Sequence, residues 1–140
     1  MTKEPISLEE ELSKHGYRCT SPRRETMKIL LGNHLPMTTA EIHRQISKKG
    51  INLVSVYRTI QLFCSLGIAA SVDQVAEGQR FELSDDYRSH HHHLVCQSCG
   101  KTEDYEECAL DRFIQKIFDR TKFRVMRHEL RFLGACSSCA

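Results

Sequence analysis

The sequence has 140 residues, the size of one compact domain or two small ones, each able to bury only a modest apolar core. With 20 Lys and Arg against 18 Asp and Glu it is nearly neutral at a formal charge of +2, and its 27% charged content is ordinary for a soluble protein. No apolar run approaches the ~20 residues of a membrane helix, and the opening MTKEPIS lacks the basic start and apolar stretch of a signal peptide, so the expected setting is the cytosol, with no membrane partner.

Ser7 and Glu10 have capping-box spacing, Leu8 and Leu12 share a face, and Gly16 is a stop, which predicts a short first helix. Ser21 as N-cap and Pro22 at the first helical position open a second, with Met27, Leu30 and Leu31 as its stripe and its end near Gly32. Thr38 and Glu41 form another box ahead of Ile42 and Ile46, and Lys48 and Lys49 before Gly50 suit a helix C-terminus. From Leu53 to Leu66, the spacing of Leu53, Val56, Ile60 and Phe63 turns one apolar face inward and groups Ser55, Arg58, Thr59 and Leu62 opposite. Two short helices joined at Lys49, Gly50 and Ile51 have the form of a helix-turn-helix, whose second helix enters the DNA major groove. IAASVDQV and RFELS, joined by AEGQ with Gly78 suited to positive φ, predict two strands that would make a wing.

The polar stretch SDDYRS separates this unit from a second of different character, dividing the chain at 1–84 and 85–140. The second half opens with HHHHLVCQSCGKTEDY and continues with a helix carrying Leu110, Phe113, Ile114, Ile117 and Phe118 on one stripe. It closes with a strand in which Met126, His128, Leu130 and Phe132 alternate. The fold class is α+β: an N-terminal winged helix-turn-helix domain and a small C-terminal α/β unit.

Seven Cys is an odd count, which in a reducing compartment points to metal thiolates rather than a disulfide framework. Cys96 with Cys99 and Cys136 with Cys139 form two CxxC pairs, able to close a tetrahedral Zn2+ site because each knuckle aims two sulfurs at one point. The last residues, Ser, Ser, Cys and Ala, have little apolar area to order them, and a metal tie would. The competing reading is free thiols or a redox pair on one CxxC. If residues 90–95 form a strand, period two sends His91 and His93 to one face and His90 and His92 to the other, so one run can feed two sites. Imidazoles joined by Glu82, Asp104 or Asp111 make mixed N/O sites suited to Fe2+, Mn2+, Zn2+ or Co2+ and more exchangeable than four thiolates. The bland alternative for the His run is a solvated polar strand or adventitious metal binding. His128, taken alone, reads as a core residue. Cys19, Cys64 and Cys108 default to small buried apolar residues, although Cys108 is close enough to Asp104 and Asp111 for a ligand role.

Charge argues weakly for DNA: residues 1–83 hold 11 basic and 9 acidic side chains, and the remainder 9 and 9. Lys14, Arg18, Arg23, Arg24 and Lys28 nevertheless gather around the first two helices, where phosphate contacts would position the domain, unless they form only a solvated face.

GYRCTSPRRETMKIL, TAEIHRQI, SVYRTIQLFCSLGI, RFEL, HHHHLVCQSCGK and the final GACSSC, in this order and spacing, resemble the ferric uptake regulator family of bacterial metal-responsive repressors over nearly the whole chain. The resemblance implies a homodimer, each subunit a winged-helix domain hinged to an α/β dimerisation domain, which binds a double-stranded operator when its regulatory metal is loaded. Carried over, it makes Cys96, Cys99, Cys136 and Cys139 the ligands of a structural Zn2+. It assigns Glu82, His91, His93 and Asp104 to an interdomain regulatory site for Fe2+, Zn2+ or Mn2+, and His90, His92, Asp111 and His128 to a further site. Tyr57 and Arg58 fall where the family meets the major groove, with Ser55 on the same helix, Arg23 where it meets phosphate, and Arg18 where a basic residue reaches the minor groove. The helical wheel alone puts Tyr57 near the core edge.

Two departures stand out. Where the family commonly has a regulatory His before the AE of the third helix this chain has Met37, so either His34 reaches in or the site has one ligand fewer. Glu82 matches iron sensors, whereas the peroxide-sensing branch usually has Asp there. A metal hydrolase or thiol peroxidase using the His cluster or a CxxC is the competing enzyme reading; a hydrolase needs an open coordination position, a general base and a substrate pocket, and a zinc deaminase would need an HxE and a PCxxC that this chain lacks. Zinc storage without DNA binding is opposed by the helix-turn-helix and wing.

Overall fold

The structure, a computed structural model, describes residues 7–33 and 35–140. The chain packs as two compact units that divide between Ser89 and His90.

The first unit runs α1 (Leu8–Lys14), α2 (Ser21–Gly32), β1 (Met37–Thr38), α3 (Thr39–Ile46), a single 3-10 turn (Ser47–Lys49), α4 (Leu53–Ser65), β2 (Ala69–Val75) and β3 (Gly78–Leu83). Ser7 occupies the N-cap of α1 in extended backbone, but its side chain makes no cap bond, so the box expected with Glu10 does not close. Glu9, Glu10 and Glu11 instead place negative charge against the helix N-terminus. Helix α2 starts one residue earlier than the Ser21 cap predicts, with Thr20 as N-cap and Pro22 inside the first turn, where its missing N–H costs nothing.

The box at α3 is complete: Thr38 Oγ1 accepts from the Glu41 N–H at 3.2 Å, and Glu41 Oε2 accepts from the Thr38 N–H at 3.0 Å. Thr38→Ala is expected to cost about 1 kcal/mol of stability, read as a lower urea midpoint at unchanged slope. Gly50 ends the turn after α3 at φ 76°, and His43 Nε2 lies 3.0 Å from the Ile51 carbonyl, where its N–H tautomer ties α3 to the entry of α4. Asn52 caps α4 by accepting from the Ser55 N–H at 2.8 Å.

Val56, Ile60 and Phe63 of α4 face a core that also takes in Leu12, Met27, Leu30, Ile42, Ile46, Phe81 and Leu83. The wheel drawn from sequence is rotated relative to the fold. Leu53 is 46% exposed, whereas Thr59 is buried and Leu62 packs against the core. The outward face is Leu53, Val54, Tyr57, Arg58 and Gln61.

The three strands form an antiparallel sheet in the order β1-β3-β2, with Met37 opposite Phe81 and Val75 opposite Gly78. A bulge between Ser71 and Asp73 increases the local twist of β2. Arg80 grips both carboxylate oxygens of Asp73 across the hairpin, with Nε to Oδ1 at 2.6 Å, and this forked pair fixes the wing.

The second unit comprises β4 (His92–Cys96), β5 (Thr102–Tyr105), α5 (Asp111–Thr121) and β6 (Arg131–Gly134). Its sheet order is β5-β4-β6, with β4 antiparallel to β5 and parallel to β6. The closing strand is shorter than the alternation of Met126, His128, Leu130 and Phe132 predicts. Pairing starts only at His93 opposite Arg131, because β4 itself begins at His92 and offers no ladder to residues farther upstream. No residue of α5 is buried: Phe113 is 60% exposed and Phe118 39%, and beyond the helix Met126 is 86% exposed. No helix among the described residues is long and apolar enough to cross a membrane.

Candidate metal centres and nucleic-acid face

The register that sets Cys96 opposite Gly134 brings the two CxxC knuckles together, since Cys136 follows two residues later. Each knuckle is closed by backbone bonds, Gly100 N–H to the Cys96 carbonyl at 2.9 Å and Cys139 N–H to the Cys136 carbonyl at 2.9 Å. All four sulfurs lie within 4.8 Å of one another, with no disulfide, and Cys99 Sγ stands 3.8 Å from Cys136 Sγ. Tetrahedral Zn2+ with bonds of about 2.3 Å needs sulfurs about 3.8 Å apart, so the donor set fits this ion. The Cys136 and Cys99 N–H groups hydrogen-bond Cys96 and lower its thiol to about 6, the Cys136 N–H lying 3.3 Å from the sulfur. The neighbouring sulfurs of Cys136, Cys96 and Cys99 push Cys139 up to about 12. Four thiolates thus resist joint ionisation until a cation offsets their charge.

The His run divides by face as period two requires. His91 and His93 have ring centroids 4.8 Å apart, and Asp104, opposite His93 across the β4–β5 ladder, places Oδ1 3.2 Å from His93 Nδ1. Glu82 lies in the first unit on β3, its carboxylate 3.4 Å from an Arg88 guanidinium nitrogen. Met37, at the position where the resemblance implies an imidazole, is buried in the core and paired in β1. His34 lies outside the described residues.

On the other face, His90 and His92 meet His128, with ring centroids 4.6 Å apart for His90–His128 and 5.4 Å for His92–His128. His128 is therefore no lone core imidazole. The fourth donor differs from the expectation: Cys108, and not Asp111, has its donor atom within 4.8 Å of those of the three imidazoles. Asp111 is exposed as the first residue of α5 and lies outside the cluster, whereas Cys108 precedes the helix in a segment with no ladder or helical bonds to direct it elsewhere. Cys19 and Cys64 do pack as partly buried residues against the core, where desolvation raises the Cys64 thiol.

In the first unit, Tyr57 is 52% exposed and stands on α4 beside exposed Arg58, with the half-buried Ser55 two residues before Tyr57. Tyr57 is thus directed outward and not at the core edge. Arg18 is exposed before α2, where its carbonyl accepts from Arg23 at 2.7 Å, and Arg23 lies over the Tyr17 ring at 5.4 Å. Lys28 and Lys49 share Glu25, which they hold below the usual carboxylate range.

The sequence model of the ferric uptake regulator family matches residues 14–133. The chain is 31% identical over 137 residues to the ferric uptake regulation protein of Bacillus subtilis, covering 94% of this chain and 91% of that protein. It is 30% identical over 131 residues to the peroxide-responsive repressor PerR of Staphylococcus epidermidis, covering 91% and 85%. Its fold matches that of the ferric uptake regulator of Helicobacter pylori with a TM-score of 0.76 at 20% identity, over 99% of this chain and 97% of that one. That structure is described as revealing three functional metal binding sites. Matched over most of its length, with a winged helix-turn-helix unit followed by a cysteine-knuckled α/β unit, the chain belongs to the ferric uptake regulator family.

Proposed function

We propose that the chain is a cytosolic homodimer that represses metal-homeostasis genes by gripping a palindromic operator when an exchangeable divalent ion, Fe2+, Mn2+ or Zn2+, is bound by Glu82, His91, His93 and Asp104. Its family consists of metal-dependent transcriptional repressors and not of enzymes. The observation that carries the reading is the pairing of His91 with His93 beside Asp104, in a chain whose other unit presents an exposed helix-turn-helix face. Cys96, Cys99, Cys136 and Cys139 hold a structural Zn2+. The uncovered apolar side chains of α5, with Phe113 and Phe118 exposed and no residue of the helix buried, support a subunit contact, since exposed apolar surface of this kind marks an interaction site.

On the DNA side, we assign Tyr57 and Arg58, with Ser55 on the same helix, to the base-edge or backbone contacts of the major groove, Arg23 to a phosphate and Arg18 to the minor groove. Arg58→Ala is expected to weaken operator binding by about 1 to 3 kcal/mol in fluorescence anisotropy at fixed salt. A bound divalent ion supplies positive charge that draws imidazole and carboxylate donors together, and it switches the protein only if the DNA-competent arrangement binds it more tightly than the alternative.

An operator recovered by random-sequence selection, titrated anaerobically with Fe2+, Mn2+ and Zn2+, tests the reading. Binding promoted by one ion at the lowest free concentration is expected, and equal affinity with and without metal overturns it. Similarity to PerR favours a second reading, peroxide response, which release of the Fe2+-loaded protein from its operator by peroxide would select.

A further inference from the structure

We propose that Cys108 is a metal ligand, and that the second centre of the C-terminal unit is a three-histidine, one-thiolate site built from His90, His92, His128 and Cys108 rather than a histidine and carboxylate site. The inference rests on the reading that this unit binds divalent metal, and goes beyond it by naming the donor set and therefore the class of ion.

The geometry centres on one atom. His128 Nε2 lies 3.0 Å from His90 Nε2 and 3.2 Å from Cys108 Sγ, so a single ring nitrogen faces an imidazole nitrogen and a sulfur at once. A ring nitrogen has either one N–H or one lone pair to offer, in the plane of the ring. One proton cannot satisfy both contacts along that axis, whereas a cation takes one lone pair from every donor around it. Tetrahedral Zn2+ with Zn–N bonds of about 2.0 to 2.1 Å and a Zn–S bond of about 2.3 Å sets neighbouring nitrogens about 3.3 to 3.4 Å apart and nitrogen and sulfur about 3.5 to 3.6 Å apart, so the donors need only spread by a few tenths of an ångström to hold it. His92 is 2% exposed and its ring stands 4.7 Å from that of His90, so the cluster has a buried wall on the sheet side.

Asp111 occupies the position that the family resemblance assigns to the carboxylate, yet it is exposed and outside the cluster. Exchanging a carboxylate for a thiolate makes the site softer. Imidazole and thiolate together favour Zn2+ and Co2+ over Mn2+, which prefers oxygen donors. The site would then discriminate against an ion that the nitrogen and oxygen donors of the His91 and His93 face accept. Binding displaces the Cys108 proton to solvent and leaves a thiolate on the ion, with no change in oxidation state.

The test uses the full-length protein with its structural zinc in place, to which Co2+ is added anaerobically. Wild type and Asp111→Ala are expected to develop a near-ultraviolet thiolate-to-Co2+ charge-transfer band, and Cys108→Ser to lose it while retaining its structural zinc. The same band in Cys108→Ser, its absence from wild type, or its loss in Asp111→Ala overturns the proposal. A second measurement needs no variant: Zn2+ should protect Cys108 of the wild-type protein from iodoacetamide, as mapped by mass spectrometry, and unchanged labelling also overturns it. Operator binding assayed on Cys108→Ser separates this from the functional reading. Metal-independent operator binding by the wild type rejects the regulatory switch without touching the Cys108 result, and a missing thiolate band rejects the Cys108 ligand without touching the switch.

Discussion

Cys136→Ser is expected to release the structural zinc and to unfold the second unit while the first remains folded. The reason is the uneven distribution of apolar burial. Leu12, Met27, Ile42, Ile60, Phe63 and their neighbours form a core belonging to the first unit, whereas Cys96 is the only buried apolar residue described in the second. A three-stranded sheet with one uncovered helix lacks the buried area to offset its chain entropy alone. Structural Zn2+ supplies about 10 to 16 kcal/mol in small zinc-folded peptides, comparable with the total stability of many domains. If the four thiolates hold Zn2+ as proposed, breaking the set at one sulfur would remove a major stabilising contribution in residues 90–140. The tightly held zinc that survives removal of exchangeable metal should fall from one ion per chain toward none, and limited proteolysis should cut within residues 90–140 while residues 7–89 stay protected. Cys19→Ser, on a cysteine that packs against the first core, should keep its zinc. Retention of zinc and of protease resistance by Cys136→Ser would exclude the structural role.

The elements that the sequence makes legible are those whose signal is local. Thr38 and Glu41 three apart, Gly50 after two lysines, and paired CxxC motifs each encode a bond or a backbone angle within a few residues, and the structure realises them. The features that escape depend on partners distant in sequence. A two-residue strand such as β1 exists only because β3 offers Met37 a ladder opposite Phe81, and no alternation can be seen in two residues. The upstream part of the Met126 to Phe132 alternation fails as a strand for the converse reason, since the pattern is present but the ladder is not. On α4, Leu53 sits in the first turn, where an apolar residue can fall beyond the edge of the core, so a wheel that counts it as inward turns away from Thr59, which is buried. The same wheel sets Tyr57 at the core edge, and only the family likeness points it outward, where it is 52% exposed.

The metal sites show the same division. The rings of the His run pair as His90 with His92 and His91 with His93, although the strand expected over 90–95 begins only at His92, so the alternation extends two residues upstream of the ladder. The choice between Cys108 and Asp111 was not available from spacing: both lie within a turn of the start of α5, and only the fold shows which one meets His128. Taking Cys108 in place of Asp111 as the fourth donor would change that donor from oxygen to sulfur.

His91→Ala combined with His93→Ala is expected to abolish the metal dependence of operator binding while leaving the structural zinc and the fold in place. His91 and His93 share a face beside Asp104, whereas Cys96 sits farther along β4 at the knuckle and His90 and His92 turn to the opposite face. The double substitution therefore empties one donor set and spares two. Allosteric coupling of about 1 to 3 kcal/mol corresponds to a 5- to 150-fold metal response, and that factor should collapse to about one in the variant. Linkage supplies an independent check, because a metal that tightens DNA binding must itself be bound more tightly, by the same factor, when DNA is present. Titrating wild type with and without operator should show that shift in metal affinity, and the variant should show none. A variant that kept its metal response in anisotropy, with one zinc per chain and an unchanged melting curve, would move the switch away from His91 and His93, and the reciprocal titration would show whether the His90, His92 and His128 face had taken it over.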